Sequence, residues 1–91
     1  MTEGELRALD RQVTAAMTGA TDRPSPPYST RPEWSRVLLD EMAADGYVSI
    51  LAQRDPLPAW SVAFGMSEFF GGETLDIAIC RAWLAWKEAA K

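Results

Sequence analysis

The stretch Ala59-Trp60-Ser61-Val62-Ala63-Phe64-Gly65-Met66 decides the fold. Large apolar side chains at Trp60, Val62, Phe64 and Met66 alternate with small ones at Ser61, Ala63 and Gly65. That is the period-two pattern of a strand with one buried face. Just upstream, Tyr47 to Arg54 alternates too, with Val48, Ile50 and Ala52 on one face. Asp55-Pro56-Leu57-Pro58 between the two runs is turn chemistry, so they form an antiparallel hairpin. Its large face is expected to be core. Its small face leaves room for a closely packed backbone or a ligand.

Working outward, both flanks read as helix. Thr30-Arg31-Pro32-Glu33 has the form of a capping box, and Trp34, Val37, Leu38 and Met42 supply an apolar face. Gly46 is the expected left-handed stop. Near the start, Thr2 and Glu5 form another capping box, and Leu6, Leu9, Val13, Ala16 and Met17 make a narrow stripe that ends at Gly19. A proline-rich connector, Ala20 to Ser29, joins these two helices. After Gly71-Gly72, Thr74 caps a last helix with Asp76 in its first turn. Leu75, Ala78, Ile79, Ala82, Trp86 and Ala89 lie on one side of it, and Ile77, Cys80 and Leu84 lie nearly opposite. A helix apolar on two sides needs cover on two sides, from the first helix or from a second copy of the chain. The fold class is α+β: helix, helix, β-hairpin, helix, as a single domain over 1–91. The short stretch from Gly65 to Glu73 leaves room for at most an edge as a third strand.

Composition narrows the function. The 91 residues contain no His and one Cys, which removes His-based triads, His metal sites and internal disulfides. Nine Lys+Arg against thirteen Asp+Glu give a net charge of −4, the wrong sign for a general nucleic-acid or anionic-membrane binder. The longest apolar run, Ile77 to Trp86, is interrupted by Arg81 and is too short for a membrane span. Surface scaling has about 64% of the area buried on folding, enough for one thin core. A reducing cytoplasm is the expected location.

The chain resembles the phage ABA sandwich domain family. The resemblance rests on Tyr28-Ser29-Thr30, on Trp34, Val37, Met42 and Gly46, and on Trp60-Ser61-Val62-Ala63-Phe64. It continues through Gly72-Glu73-Thr74 into Ala78-Ile79-Cys80-Arg81-Ala82, with Leu6, Leu9, Val13, Met17 and Gly19 matching the opening helix. It implies a phage or prophage origin and helices around a small antiparallel sheet. It brings no catalytic residues. The connector at 20–27 is shorter than the family pattern.

Candidate chemistry is sparse. Cys80 lies mid-helix among Ile77, Ile79 and Ala82 with no base available, and reads as a small core hydrophobe. Trp34 and Trp60 read as core, and Trp83 or Trp86 as a residue that reaches a surface or a dimer seam. Phe69 and Phe70, in a short loop flanked by glycines, have two readings: one phenylalanine caps the hairpin core, or the loop offers an aromatic anchor for a partner. Asp40, Glu41 and Asp45 sit at the C-terminal end of their helix, where negative charge is unfavourable by roughly 0.3–1 kcal/mol each. They form a candidate acidic patch for a basic partner, extended by Asp55 or Glu33. A phosphate site at Gly71-Gly72 is opposed by Glu73 and Asp76.

The expected partner-binding residues are therefore Asp40, Glu41, Asp45, Phe69, Phe70 and Trp83, with no catalytic or metal-binding residue and no cofactor. The expected function is a phage- or prophage-encoded, non-enzymatic antagonist of host defence, an anti-CRISPR-type inhibitor that covers a host protein surface in the host cytoplasm. One alternative is a sponge for a nucleotide-like defence signal, held by residues such as Arg54 and Arg81 at a subunit seam. Another is a virion or replication accessory protein. The expected partners are a host protein and a second copy in a homodimer, with no direct contact to nucleic acid or membrane.

Overall fold

The computed structural model describes residues 1–19, 24–54 and 59–89. The elements follow in the order α1 (Glu3–Thr18), α2 (Pro32–Asp45), β1 (Val48–Gln53), β2 (Ala59–Phe64), β3 (Phe70–Gly72) and α3 (Leu75–Ala89). The strands form an antiparallel sheet in the order β1-β2-β3. The α+β reading holds, and the sheet gains a short third strand at its edge. The expected 55–58 turn and the 20–23 part of the connector lie outside the described residues.

Register places the core. Val48 pairs with Phe64, Ile50 with Val62 and Ala52 with Trp60, while Trp60 pairs with Gly72 and Val62 with Phe70. Paired residues share a face, so Val48, Trp60, Val62, Phe64 and Phe70 turn together toward α3. Gly72 is the point of closest approach. A Cβ there would stand 2.7 Å from Ile77 Cγ2 and 2.8 Å from the Ala78 amide nitrogen, so only glycine lets β3 run this near the first turn of α3.

α3 is covered on both apolar sides within one chain, since the sheet, α2 and α1 all pack against it. Ile77, Ala78, Ile79, Cys80, Ala82 and Trp83 are all buried. Of the two covers expected, the first helix supplies the missing one, through Leu9 and Val13 in the same core.

The Tyr28-Ser29-Thr30 turn clamps α1 to the rest. Ser29 N–H donates to buried Asp10 Oδ1 at 2.8 Å, Ser29 Oγ–H donates to the Leu6 carbonyl at 3.2 Å, and Tyr28 meets Trp34 edge-on at 5.8 Å. Asp10 looks like a polar break in the α1 stripe. Its role is to satisfy a buried amide.

Several local readings hold. Thr2 and Glu5 form the reciprocal capping box, and its hydrogen bonds hold the Glu5 carboxyl below its usual range. Gly19 ends α1 at φ 74°, and Thr74 Oγ1 accepts from Ile77 N–H at 3.2 Å. Others are corrected. Thr30 belongs to the preceding turn, where its own amide and that of Arg31 donate to the Pro27 carbonyl. Arg31 takes the N-cap position of α2, with no side-chain cap among the described residues. Gly46 is extended at φ 170°, not left-handed. On α2 the buried face runs through Ser35, Leu38 and Met42, so Trp34 and Val37 are exposed. Ser35 displaces them because its hydroxyl donates to Asp76 Oδ1 at 2.6 Å, docking α2 onto α3. The outer stripe residues Ala16 and Met17 are exposed as well. β2 stops at Phe64 because Gly65 turns left-handed at φ 55°, and this carries Met66 off the core face.

Candidate functional site

The acidic cluster resolves into two different environments. Trp83 Nε1–H donates to Glu41 Oε2 at 3.0 Å, and Trp86 Nε1–H donates to Asp45 Oδ2 at 3.0 Å. Lys87 Nζ lies 3.1 Å from Glu41 Oε1 and 5.4 and 5.3 Å from the Trp83 and Trp86 ring centres. Two carboxylates at the wrong end of α2 are thus offset by indole donors and one ammonium from α3. Glu41 and Asp45 serve the α2–α3 seam. Trp83 is fully buried and offers no surface to a partner, because its polar edge is used within the chain.

Asp40 stays exposed. It helps line a groove of about 320 Å³ between α2 and the start of α3, with Arg36, Leu39, Leu75, Asp76 and Ile79. Glu33 pairs with Arg31 at 3.8 Å. Arg54 and Arg81 do not converge within one chain. Arg54 follows β1 at one edge of the sheet, while Arg81 Nη1 donates to the Gly71 carbonyl at 2.6 Å on the other.

Cys80 is buried, and burial pushes its thiol up to about 12, with Asp10 and Asp76 adding to the shift. A thiol held neutral this firmly is a poor nucleophile. Among the described residues, no three acidic or thiol side chains gather as a metal site requires. No helix among them is long and apolar enough to cross a membrane.

Among the described residues, the exposed large apolar side chains are Met17, Trp34 and Val37 on the helices, Ile50 and Leu51 on β1, and Tyr47, Met66 and Phe69 at one end of the sheet. Phe70 stacks on Phe64 at 5.9 Å and 3° between planes, and belongs to the core margin. Phe69 beside it is exposed, as the anchor reading requires. Two neighbours at the same end were missed by the sequence: Tyr47, 85% exposed, and Met66, fully exposed. Gly65 N–H donates to the Tyr47 carbonyl at 2.7 Å, which ties the start of β1 to the 65–69 loop that carries Met66 and Phe69. Along β1 itself, Ile50 and Leu51 are exposed on opposite faces. The available signal was the adjacent pair Ile50-Leu51, since a strand with one buried face cannot bury both. Tyr47, Met66 and Phe69 thus form a tip, and β1 an edge, both apolar and uncovered.

Comparison of the chain with protein-family models, with curated proteins and with solved structures found no match to any of them.

Proposed function

We propose that this chain is a non-enzymatic binding protein that works by covering a surface of another protein, with the Tyr47–Met66–Phe69 tip as its contact. The observation that carries this reading is the exposure of three large apolar side chains, Tyr47, Met66 and Phe69, gathered at one end of the sheet. Large aromatic side chains dominate binding energy when a partner buries them. The sealed Cys80 thiol and the absence of His from the sequence support a role without catalysis.

The resemblance to phage ABA sandwich proteins favours a phage-encoded antagonist of host defence, an anti-CRISPR-type inhibitor acting in the host cytoplasm. Contact then rests on the apolar tip, with Asp40 contributing charge near the α2–α3 groove. Glu41 and Asp45 are already engaged with α3.

The test is phage plating on a CRISPR–Cas-positive host that expresses the chain, against an isogenic host lacking the defence. The wild-type chain is expected to restore plating only where the defence is present. The Tyr47→Ser, Phe69→Ser double variant is expected to lose that effect while remaining folded. Plating unchanged by the wild-type chain would reject the antagonist reading. Full activity of the folded double variant would reject the tip as its contact surface.

A further inference from the structure

The two edges of the sheet are finished differently. β3 is a three-residue edge whose Gly71 pairs with Ser61, between the Trp60–Gly72 and Val62–Phe70 pairs. Arg81 Nη1 donates to the Gly71 carbonyl at 2.6 Å and so closes the outward acceptor of that edge. The opposite edge, β1, runs for six residues in unbroken register with β2. From Tyr47 to Gln53 it has no charged residue, proline or bulge, the devices by which edge strands are normally kept from pairing.

The phase of the ladder shows which groups β1 presents. Gly65 N–H donates to the Tyr47 carbonyl, so Tyr47 and Gly65 are a hydrogen-bonded pair. Alternation along an antiparallel ladder then turns the amides and carbonyls of Ser49, Leu51 and Gln53 toward β2. Those of Val48, Ile50 and Ala52 turn outward. The far side of β2 agrees with this phase: Phe64 N–H points away from β1 and, beyond the end of β3, donates to Ser67 Oγ at 3.0 Å.

We propose that β1 pairs antiparallel with β1 of a second copy, about a two-fold axis at Ile50, joining the two sheets into one. The proposal stands apart from the function proposed above, because the tip lies at the end of the sheet and the pairing uses its edge. A two-fold axis through Ile50 lets each Ile50 donate to and accept from its counterpart, with Val48 opposite Ala52 and Ser49 opposite Leu51. The strand is its own complement. Over residues 48–52 each larger side chain meets a small one or its own kind, and no like charges oppose one another. The thirteen acidic residues of the chain all lie off this strand. About 20 Å of edge per chain is a small interface, in the weak class below about 1,200 Å². The exposed Ile50 and Leu51 flank it on both faces and are covered in the pairing.

Light scattering of the full chain, from low micromolar to several hundred micromolar, tests this. Wild-type protein is expected to rise from monomer toward dimer mass with concentration. Ile50→Pro removes an amide that points outward and leaves the β1–β2 ladder its bonds, a setting on an edge strand in which proline is tolerated. It is expected to stay monomeric throughout with an unchanged far-UV circular dichroism spectrum. Should Ile50→Pro misfold, Ile50→Lys keeps every backbone amide and sets like charges against each other at the axis, with the same monomeric result expected. A wild-type chain that is monomeric at the highest concentration overturns the proposal. So does a folded Ile50 variant that dimerises as the wild type does.

Discussion

Trp83 of α3, fully buried, donates its indole N–H to Glu41 of α2 across 3.0 Å. The bond explains two oddities of the sequence together. A tryptophan deep in a thin core needs an acceptor for its one polar atom, and a glutamate near the C-terminal end of a helix needs a donor to offset the helix dipole. Lys87, one turn along α3, shares the same carboxylate at 3.1 Å. The α2–α3 seam is therefore held by a polar lock laid over the apolar contacts of Leu38 and Met42.

Truncating the acceptor tests that lock. Glu41→Ala leaves the Trp83 N–H without its partner and should cost about 1–3 kcal/mol, the usual penalty for a stranded buried donor. Glu41→Gln keeps an oxygen acceptor and loses only the ion pair with Lys87, so it should cost under about 1 kcal/mol. Urea unfolding of the two variants decides it, and equal losses in both would assign the effect to charge instead.

Adjacent glycines in β3 separate in the same kind of measurement. A Cβ at Gly72 falls inside 3.0 Å of Ile77 and of the Ala78 backbone. Gly72→Ala should therefore cost about 1–3 kcal/mol by overpacking, since β3 and α3 must move apart. A Cβ at Gly71 meets nothing closer than 3.7 Å. Gly71→Ala should leave stability within about 0.5 kcal/mol, as most surface changes do.

What was legible in the sequence was local or periodic. The Trp60-Val62-Phe64 alternation, the Thr2–Glu5 box and the Thr74 cap each depend on residues a few positions apart, and each is present. The errors arose where a distant residue decides. Trp83 reads as free to reach a surface because its acceptor lies 42 residues earlier. Trp34 lost its place in the core to Ser35, whose hydroxyl is claimed by Asp76, 41 residues on. Met66 continued the strand pattern on paper, but the left-handed Gly65 turned the chain before it. For the candidate surface, Phe69 was visible as a loop aromatic. Met66 shares its loop and is turned outward by Gly65, while Tyr47 joins it only through the pairing of β1 with β2.

Alkaline pH should weaken the fold through Cys80. Its thiol titrates near 9.0 when unconstrained and is raised to about 12 in the fold, first by burial and then by Asp10 and Asp76. Between those values the folded chain holds a proton that the unfolded chain has lost. The contribution is therefore complete below the unfolded value and disappears as pH rises toward the folded one. Urea unfolding of wild type and Cys80→Ala between about pH 8 and pH 11 isolates it, and the gap between the two stabilities should narrow as pH rises. A constant gap would mean that the thiolate is accommodated.

Phe69 and Phe70 should respond in opposite ways to the same substitution. Phe70 is half-buried, stacks on Phe64 and pairs with Val62, so Phe70→Ser should cost roughly half of the ~3–5 kcal/mol lost when a fully buried phenylalanine is truncated. Phe69 is exposed and lies just outside the strand. Phe69→Ser should change stability by less than about 0.5 kcal/mol while reducing binding of a hydrophobic dye to the tip. Thermal unfolding and dye fluorescence on the pair read both effects. A large stability loss at Phe69 would place it in the core and leave Tyr47 and Met66 as the tip.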